Sequence, residues 1–327
     1  MINLRKIISN NLAIVSIFSA ILASLCFSII DFNIKYLSDK YPLYEIILFR
    51  SLFAIVITFI IFVPLEGGII SLKTRRPLKH FIRAMALVLS NFCFFAGLAV
   101  LTLAENSAIF FIAPLLITLF SVIFLKEKVG WRRWSALIIG FIGVLMIIQP
   151  GQINFKWASL LPLLAAFFYA TLHIMTRNLG LSEKATTLSF YIQVAFILVS
   201  GTMGLMFGNG QFSNFNQDNL SLMFIFKPWI FPSQFDFLIF FIIGLASSIG
   251  GYLISQAYRL SEAGLVAPFE YTSLLLAVFW TILIWGIWPS FISWIAIFMI
   301  IGSGVFIAIR ETNLKLSSSS KRLSGRR

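Results

Sequence analysis

The chain has 327 residues, of which 59% are hydrophobic and only 11% are charged, and its mean hydropathy is +0.95. A soluble domain carries roughly 45–50% apolar and about 25% charged residues, so this composition excludes an ordinary soluble protein and indicates a membrane protein. The formal net charge of +13 would favour a nucleic-acid partner in a soluble protein, and the positions of the charges decide whether it does so here.

Ten long apolar stretches run along the chain. A helix needs ~20 apolar residues to cross a hydrocarbon core ~30 Å thick, and all of the stretches except the fifth, which is short, approach that length. We therefore predict an all-α polytopic membrane protein with ten transmembrane helices. The predicted spans are 12–34, 44–64, 81–103, 107–125, 134–149, 157–176, 186–207, 237–258, 264–286 and 291–309.

The basic residues alternate between the two sides that these spans define. If the N-terminus is cytoplasmic, twenty Lys and Arg residues fall on cytoplasmic segments, Arg83 among them, and three are external, namely Lys40, Lys156 and Lys227. This is a strong positive-inside bias. It predicts a multi-pass protein of the cell inner membrane with both termini cytoplasmic, and it argues against nucleic acid as a partner.

A weak internal repeat relates the two halves of the chain. In the best register, Asp31 of the first span matches His173 of the sixth, and Arg50 of the second matches Gln193 of the seventh. Because five is odd, a second five-span unit inserts upside down, and two inverted units enclose a cleft that can open to either side in turn. We predict two inverted five-helix repeats, residues 1–151 and 152–310, followed by a basic disordered cytoplasmic tail, residues 311–327. A homodimer is left open.

Four charged residues near the external ends of the first two spans are candidates for the transport pathway, because charge inside a membrane is costly. Asp31 and Lys35 are four residues apart and share a helix face. They either line the pathway or form an internal ion pair that fixes packing. Glu45 lies near the water boundary, where it can be merely solvated. Arg50 lies deeper and either pairs with Asp31 or binds a carboxylate or phosphate of the cargo.

Two prolines near the starts of the fourth and ninth spans, Pro114 and Pro268, predict broken helices, which often frame ligand sites. Glu270 follows Pro268 by two residues. A carboxyl group in that position either carries a proton or bonds to a neighbouring helix. The remaining pathway candidates are polar residues that could equally bridge helices, namely Asn91, His173, Gln193 and Tyr271.

Enzyme motifs are absent from the sequence. It has no phosphate-binding Gly-rich loop and no His/Cys cluster, so we predict no catalytic residue, no metal and no cofactor. The expected function is a secondary transporter that moves a small organic metabolite by alternating access, with the cargo and the lipid bilayer as partners. A lipid flippase and a channel-type pore stay open as alternatives; a channel would be indicated by rings of polar residues along one helix face.

Several short motifs carry a family resemblance. They are Pro42-Leu43-Tyr44-Glu45 with Phe49-Arg50, then Ala104, Ala108 and Pro114, then Leu125-Lys126-Glu127-Lys128 and Trp134, and then Gly140 with Gly143-Val144. With these motifs, most of residues 12–310 resembles the EamA-type ten-helix branch of the drug/metabolite transporter superfamily. The second half departs from the pattern at Trp285-Gly286-Ile287-Trp288-Pro289, where the family often repeats a Gly-Glu turn.

The resemblance implies ten helices with both termini cytoplasmic, a central cavity between the repeats and transport without ATP. The cargoes it implies are amino acids, cofactors such as S-adenosylmethionine, vitamins such as riboflavin, and drugs.

Overall fold

The computed structural model describes residues 2–125, 131–148, 156–179, 183–212, 219–261, 266–303 and 305–306. These residues are mostly helical, and no strand occurs among them. The predicted junction between the repeats at residue 151 and the predicted tail, 311–327, lie outside the described residues. The fold class is therefore all-helical over these described residues.

Twelve helices of at least seven residues account for most of the described fold. In the first half they are α1 (Ile2–Leu37), α2 (Leu43–Ile57), α3 (Pro77–Leu98), α4 (Leu103–Phe110), α5 (Ala113–Leu125) and α6 (Trp131–Ile148). In the second half they are α7 (Leu160–Leu179), α8 (Ala185–Phe207), α9 (Leu220–Phe226), α10 (Gln234–Leu260), α11 (Tyr271–Trp285) and α12 (Phe291–Ser303).

Seven helical stretches of the described chain are long and apolar enough to cross a membrane, one of them formed by α4 and α5 together. Three shorter apolar helices complete the series: Trp134–Ile148, Tyr271–Trp285 and Phe291–Ser303. In chain order these ten segments correspond to the ten predicted spans. A multi-pass membrane protein is thus confirmed, whereas ten full crossings and the inverted relation of the halves stay predictions.

Local sequence signals set the helix ends. Pro77 occupies the first turn of α3, where its missing N–H costs nothing. Thr102 and Glu105 form a capping box at the start of α4. These two helices begin four residues before the predicted starts at 81 and 107, because their first turns contain polar residues that a search for apolar stretches leaves out.

Helix α2 does not end as a regular α-helix. It continues through a π-helical turn, Thr58–Phe62, into the short helix Val63–Leu65. The Thr58 hydroxyl lies 2.8 Å from that of Ser248 on α10. Such turns are rare and often occur at functional sites. The end of α2 and α10 are therefore tied together where the π turn begins.

The halves of the chain pack mainly on each other. The most extensive contacts join α1 to α10, α3 to α7, and α2 to both α8 and α10. Gly244 shows how close they come, since a Cβ atom there would lie 2.4 Å from the Cβ of Phe53. Small residues permit such approach between membrane helices. The interface between the halves is therefore the main interior of the molecule.

Large apolar side chains cover the outer surface. Phe18, Leu205 and Phe298 are 62%, 86% and 68% exposed, and many other Ile, Leu and Phe residues are exposed alongside them. A soluble protein rarely exposes apolar area on this scale, whereas a lipid-facing surface requires it. The distribution agrees with helices embedded in a bilayer.

The long segment between α8 and α10 folds back onto the bundle. Asn219 caps the short helix α9, and the chain then runs extended toward α10. The Trp229 ring lies against Tyr44 and Phe49 of α2, with centroid distances of 6.3 and 5.8 Å. The segment is thus packed on α2 through aromatic contacts.

Candidate functional site

A cavity of about 150 Å³ lies between the two halves. Its lining comes from α1, α2, α3, α4, α7, α8, α10, α11 and the turns before α5 and α11. This is the volume of an engineered apolar cavity that takes up benzene, so the described conformation has room for one ring of a larger ligand. Six phenylalanines form much of its wall: Phe27, Phe94, Phe95, Phe110, Phe111 and Phe196.

Arg50 brings a buried positive charge to this cavity. Its Nη1 donates to Asn91 Oδ1 at 3.1 Å, and its guanidinium lies 4.7 Å from the centre of the Phe196 ring. Its Nε is buried and bonds to nothing among the described residues. Asp31 lines the same cavity but forms no contact ion pair with Arg50, so the expected Asp31–Arg50 salt bridge is wrong for this conformation.

Lys35 does not pair with Asp31 either. Its ammonium group donates to the carbonyl oxygens of Leu98 and of Leu101, the latter at 3.2 Å, at the C-terminal end of α3. A cation there satisfies unpaired carbonyls and complements the helix dipole. Lys35 lies outside the cavity lining. The ion-pair alternative for Asp31 and Lys35 is therefore wrong, and Lys35 acts as a helix cap.

Glu45 is fully buried, and the expectation of a solvated carboxylate at the water boundary is wrong. Its Oε2 accepts from the backbone N–H of Ile230 at 3.2 Å, in the extended segment before α10. It does not line the cavity. Glu45 thus joins α2 to the second half of the chain near one end of the bundle.

His173 and Gln193 line the cavity with polar atoms that lack partners. Gln193 Nε2 donates to Ser247 Oγ at 3.2 Å, whereas its Oε1 bonds to nothing among the described residues. The same holds for both ring nitrogens of His173. Buried polar atoms in native proteins are nearly always paired, so these atoms are available to bond a further polar group at the cavity.

Glu270 is the second carboxylate of the cavity, and it is enclosed by tyrosines. Its Oε2 accepts from the Tyr169 hydroxyl at 2.7 Å, and its Oε1 accepts from the Tyr258 hydroxyl. Both tyrosines line the cavity. The neighbouring Tyr271 does not; its ring lies against Phe111, with centroids 5.5 Å apart. Of the two adjacent candidates, only Glu270 reaches the cavity.

The backbone is irregular near both prolines. Helix α4 ends at Phe110 and α5 begins at Ala113, with Pro114 in its first turn. The chain before α11 is a 3-10 turn, Ala267–Glu270, which contains Pro268. The second turn carries Glu270 to the cavity.

Arg83, Tyr169 and Tyr258 are among the cavity residues that the sequence analysis missed. Arg83 was assigned to a cytoplasmic segment, but it is 2% exposed and its Nε and Nη1 donate to Thr176 Oγ1 at 2.8 Å and to the Leu188 carbonyl at 3.0 Å. Its position inside the predicted span 81–103 was the available signal. Tyr169 and Tyr258 gave no signal, because tyrosine is common near membrane interfaces.

One end of the bundle is closed by a cluster around Asp236 that we call the Asp236 clasp: Lys40, Tyr41, Ser233 and Asp236. Asp236 Oδ2 accepts from the hydroxyls of Tyr41 and Ser233, both at 2.8 Å, and Asp236 Oδ1 lies 3.4 Å from Lys40 Nζ. Nearby, Lys227 Nζ donates to the carbonyls of Ser38 and Asp39, and burial lowers the pKa of its ammonium group. The clasp joins the two halves.

The other end is closed by a cluster that we call the Glu66 clasp. Its members are Glu66, Lys184, Thr186, Tyr252 and Arg259. Glu66 Oε2 accepts from the Thr186 N–H at 3.2 Å, its Oε1 accepts from the Tyr252 hydroxyl at 3.3 Å, and Arg259 lies 3.9 Å away. Lys184 Nζ donates to the Glu66 carbonyl. This clasp also joins the two halves.

A second contact strengthens the Glu66 end. Glu183 accepts from the Thr74 hydroxyl at 2.8 Å and lies 3.5 Å from His80 Nε2. His80 is fully buried in the first turn of α3. The cavity thus lies between two sets of polar contacts, one near each end of the helices.

Comparison with known proteins points to one transporter family. The model of the EamA-like transporter family matches residues 14–149. The resemblance to the EamA type of the drug/metabolite transporter superfamily is therefore confirmed, and the EamA-like segment covers α1 to α6, including Asp31, Arg50, Arg83 and Asn91.

Full-length relatives extend the match beyond the EamA-like segment. The S-adenosylmethionine uptake transporter of Rickettsia prowazekii is 25% identical, over 90% of this chain and 91% of its own. The riboflavin transporter of Rhizobium johnstonii is 26% identical, over 91% of this chain and 92% of its own. That of Vibrio cholerae is 28% identical, over 89% of this chain and 91% of its own. A solved structure, titled only "Crystal structure of protein", shares the fold, with a TM-score of 0.63 at 15% identity over 94% of this chain and 98% of the other.

Proposed function

We propose that the protein is a secondary transporter that moves a small organic metabolite across the cell inner membrane by alternating access, with both termini cytoplasmic. The observation that carries this proposal is a cavity between the halves with a set of cross-half contacts toward each end. A carrier requires a site that is closed to one side while it is open to the other. If one clasp breaks while the other stays intact, the cavity opens toward one side of the membrane only, which meets that requirement.

The relatives support a metabolite as the cargo. Their names specify uptake of S-adenosylmethionine and transport of riboflavin, two molecules with planar heteroaromatic rings. The cavity offers six phenylalanines for stacking and unpaired polar atoms on Arg50, His173 and Gln193 for orientation. Ligand pockets generally combine apolar walls with a few such polar groups. Amino acids and drugs remain in the proposed range of cargoes.

The inverted-repeat prediction also gains support from the cavity. Asp31 and His173, which the repeat matches to each other, both line it, and so do Arg50 and Gln193. Positions related by an inverted repeat are expected to face a shared central site. The proposed repeats keep their predicted bounds, 1–151 and 152–310.

Liposome flux tests the proposal. Purified protein is reconstituted, and uptake of labelled riboflavin, S-adenosylmethionine and a panel of amino acids is measured against concentration. We expect saturable uptake of at least one compound, strongly reduced by Arg50→Gln and retained by Lys79→Gln, an exposed residue of α3. Absence of saturable flux for every compound, with folded protein verified by gel filtration, would contradict the proposal.

The same vesicles separate the alternatives. Non-saturating ion conductance would indicate a channel-type pore, and exchange of fluorescent phospholipid between leaflets would indicate a flippase. The carrier is favoured because cross-half contacts lie on both sides of the cavity, whereas a pore needs a continuous polar path.

A further inference from the structure

The surroundings of Glu270 differ from those of a structural carboxylate. The residue is 6% exposed, and both of its oxygens accept from tyrosine hydroxyls, one on α7 and one on α10. The His173 ring lies between those two tyrosines, with centroids 4.3 Å from Tyr169 and 4.0 Å from Tyr258. All four side chains line the cavity. Three elements of the second half thus converge on one carboxyl group.

No cation neutralises Glu270 by contact among the described residues. The basic groups of the cavity are Arg50 on α2 and Arg83 on α3, and each is bonded elsewhere, to Asn91 and to Thr176 respectively. The other acidic group of the cavity is Asp31 on α1. A buried carboxylate without a cation is costly in a membrane interior, and binding a proton removes that cost.

Tyr169 and Tyr258, which we call the tyrosine cage, can hydrogen-bond to Glu270 in either of its protonation states. An ionised carboxylate only accepts hydrogen bonds, so both hydroxyls donate to it, as they do here. A protonated carboxyl has one O–H, which can donate to one tyrosine oxygen while the other hydroxyl still donates to the carboxyl. Because a tyrosine hydroxyl is both donor and acceptor, neither state leaves Glu270 unpaired. A permanently charged structural residue would not need this property.

We propose that Glu270 is a proton-exchange site, at which a proton binds when the cavity faces one side of the membrane and is released to the other. The inference rests on the proposed alternating access. The carboxylate oxygen forms an O–H bond with a proton from cavity water and later returns that proton to water. No other covalent bond changes and nothing is oxidised or reduced. The His173 ring packs against the rings of both tyrosines. Tyr271, the next residue along the chain, makes no hydrogen bond to Glu270 or to the two tyrosines.

Infrared spectroscopy of the purified protein in lipid nanodiscs tests the site without any cargo. We expect a protonated-carboxyl C=O band that disappears as pH rises, is missing from Glu270→Gln and persists in Asp31→Asn. Tyr258→Phe removes a donor that favours the ionised form, so the midpoint of the band's loss should move up by about one pH unit or more. If Glu270→Gln does not fold, the shift of the band midpoint in Tyr258→Phe decides whether Glu270 is the titrating group. A spectrum without a pH-dependent band, or one that Glu270→Gln leaves unchanged, overturns the proposal.

A coupled flux measurement separates this proposal from the proposed function. Liposomes that take up a compound in the flux screen are loaded with a pH-sensitive dye. Movement of protons together with the cargo supports exchange at Glu270, whereas saturable flux with constant internal pH overturns it and leaves the carrier intact. If no compound is transported, the carrier proposal fails, while the infrared result still decides whether Glu270 titrates.

Discussion

Some charged side chains of this bundle cap the end of a helix and do not face the cavity, and Lys35 is the clearest example. Its ammonium group satisfies carbonyls at the end of α3, where four C=O groups lack helical partners. A search for intramembrane charge selects Lys35 and Asp31 together, because both are costly in lipid. Only the packing of α1 on the end of α3 distinguishes a cap from a cavity residue.

We predict that Lys35→Met destabilises the protein by about 1.5–3 kcal/mol, because a hydrogen bond to a charged group is worth that much and the carbonyls would be left unpaired. The measurement is the free energy of unfolding in a detergent titration. Lys79→Met, at an exposed position of α3, is the matched control and should change it by less than about 0.5 kcal/mol. Equal effects of the two substitutions would argue against the cap.

The polar residues of the site were predicted better than their contacts. Asp31, Arg50, Asn91, His173, Gln193 and Glu270 were selected from sequence, and all of them line the cavity. Their selection follows from the cost of burying polar groups in a membrane. Their partners were not predictable, since Tyr169 and Glu270 are 101 residues apart and no local spacing connects them.

At the scale of helices, close approach depends on glycine. Gly244 of α10 lies against α2, and a Cβ atom there would lie 2.4 Å from Phe53 Cβ and 3.0 Å from the Arg50 carbonyl oxygen. Because the second contact is to backbone, relaxation must move α2 itself. Arg50 would move with it, so packing at this glycine and the geometry of the cavity are linked.

We expect Gly244→Val to cost about 1–3 kcal/mol of stability, as overpacked cores do, and to reduce transport because Arg50 is displaced. Thermal unfolding and liposome uptake of the same preparation give the two readouts. Gly201→Val is the comparison, since nothing lies within 4 Å of a Cβ atom at Gly201. Wild-type uptake by Gly244→Val would mean that Arg50 does not depend on this contact.

The order of the apolar segments could be read from the sequence, whereas helix ends could not. The ten apolar segments follow from length and hydropathy, which the bilayer enforces. The ends of α3 and α4 depend on Pro77 and on the Thr102–Glu105 capping box, whose polar turns lie outside the apolar runs. The π-helical turn in α2 has no hydropathy signal, because residues 58–62 are as apolar as their neighbours.

For the whole molecule, the two clasps are the features that alternating access would use. Both connect residues more than a hundred positions apart, so no local sequence pattern indicates them. Positive-inside counting does predict their sides: the Asp236 clasp external and the Glu66 clasp cytoplasmic. Weakening one clasp should therefore open the cavity toward one side.

A cavity cysteine reports this opening. In a Cys26→Ser, Cys93→Ser background, Ser255→Cys, which lines the cavity, is labelled with an impermeant maleimide. We predict that Asp236→Asn raises labelling from the external side and Glu66→Gln from the cytoplasmic side, each about tenfold, because loss of about 1.4 kcal/mol shifts an equilibrium by that factor.

Asp39→Asn is the control for this experiment, since only the backbone carbonyl of Asp39 bonds to Lys227. It should leave labelling unchanged from both sides. An increase on the same side for Asp236→Asn and Glu66→Gln would contradict both the assigned orientation and the separate action of the clasps.

The π-helical turn of α2 has a consequence for the end of that helix. Thr58–Phe62 holds one residue more than an α-helical turn, so everything after it is rotated by about 100° from where a continuous α-helix would put it. Glu66 meets Thr186 and Tyr252 only because of that offset. Deleting one residue between 59 and 62 would remove the extra residue and leave an ordinary helix that still presents the Glu66 carboxylate to α8 and α10. At the present length, an uninterrupted α-helix would instead turn that carboxylate away from both helices and release this end of the bundle.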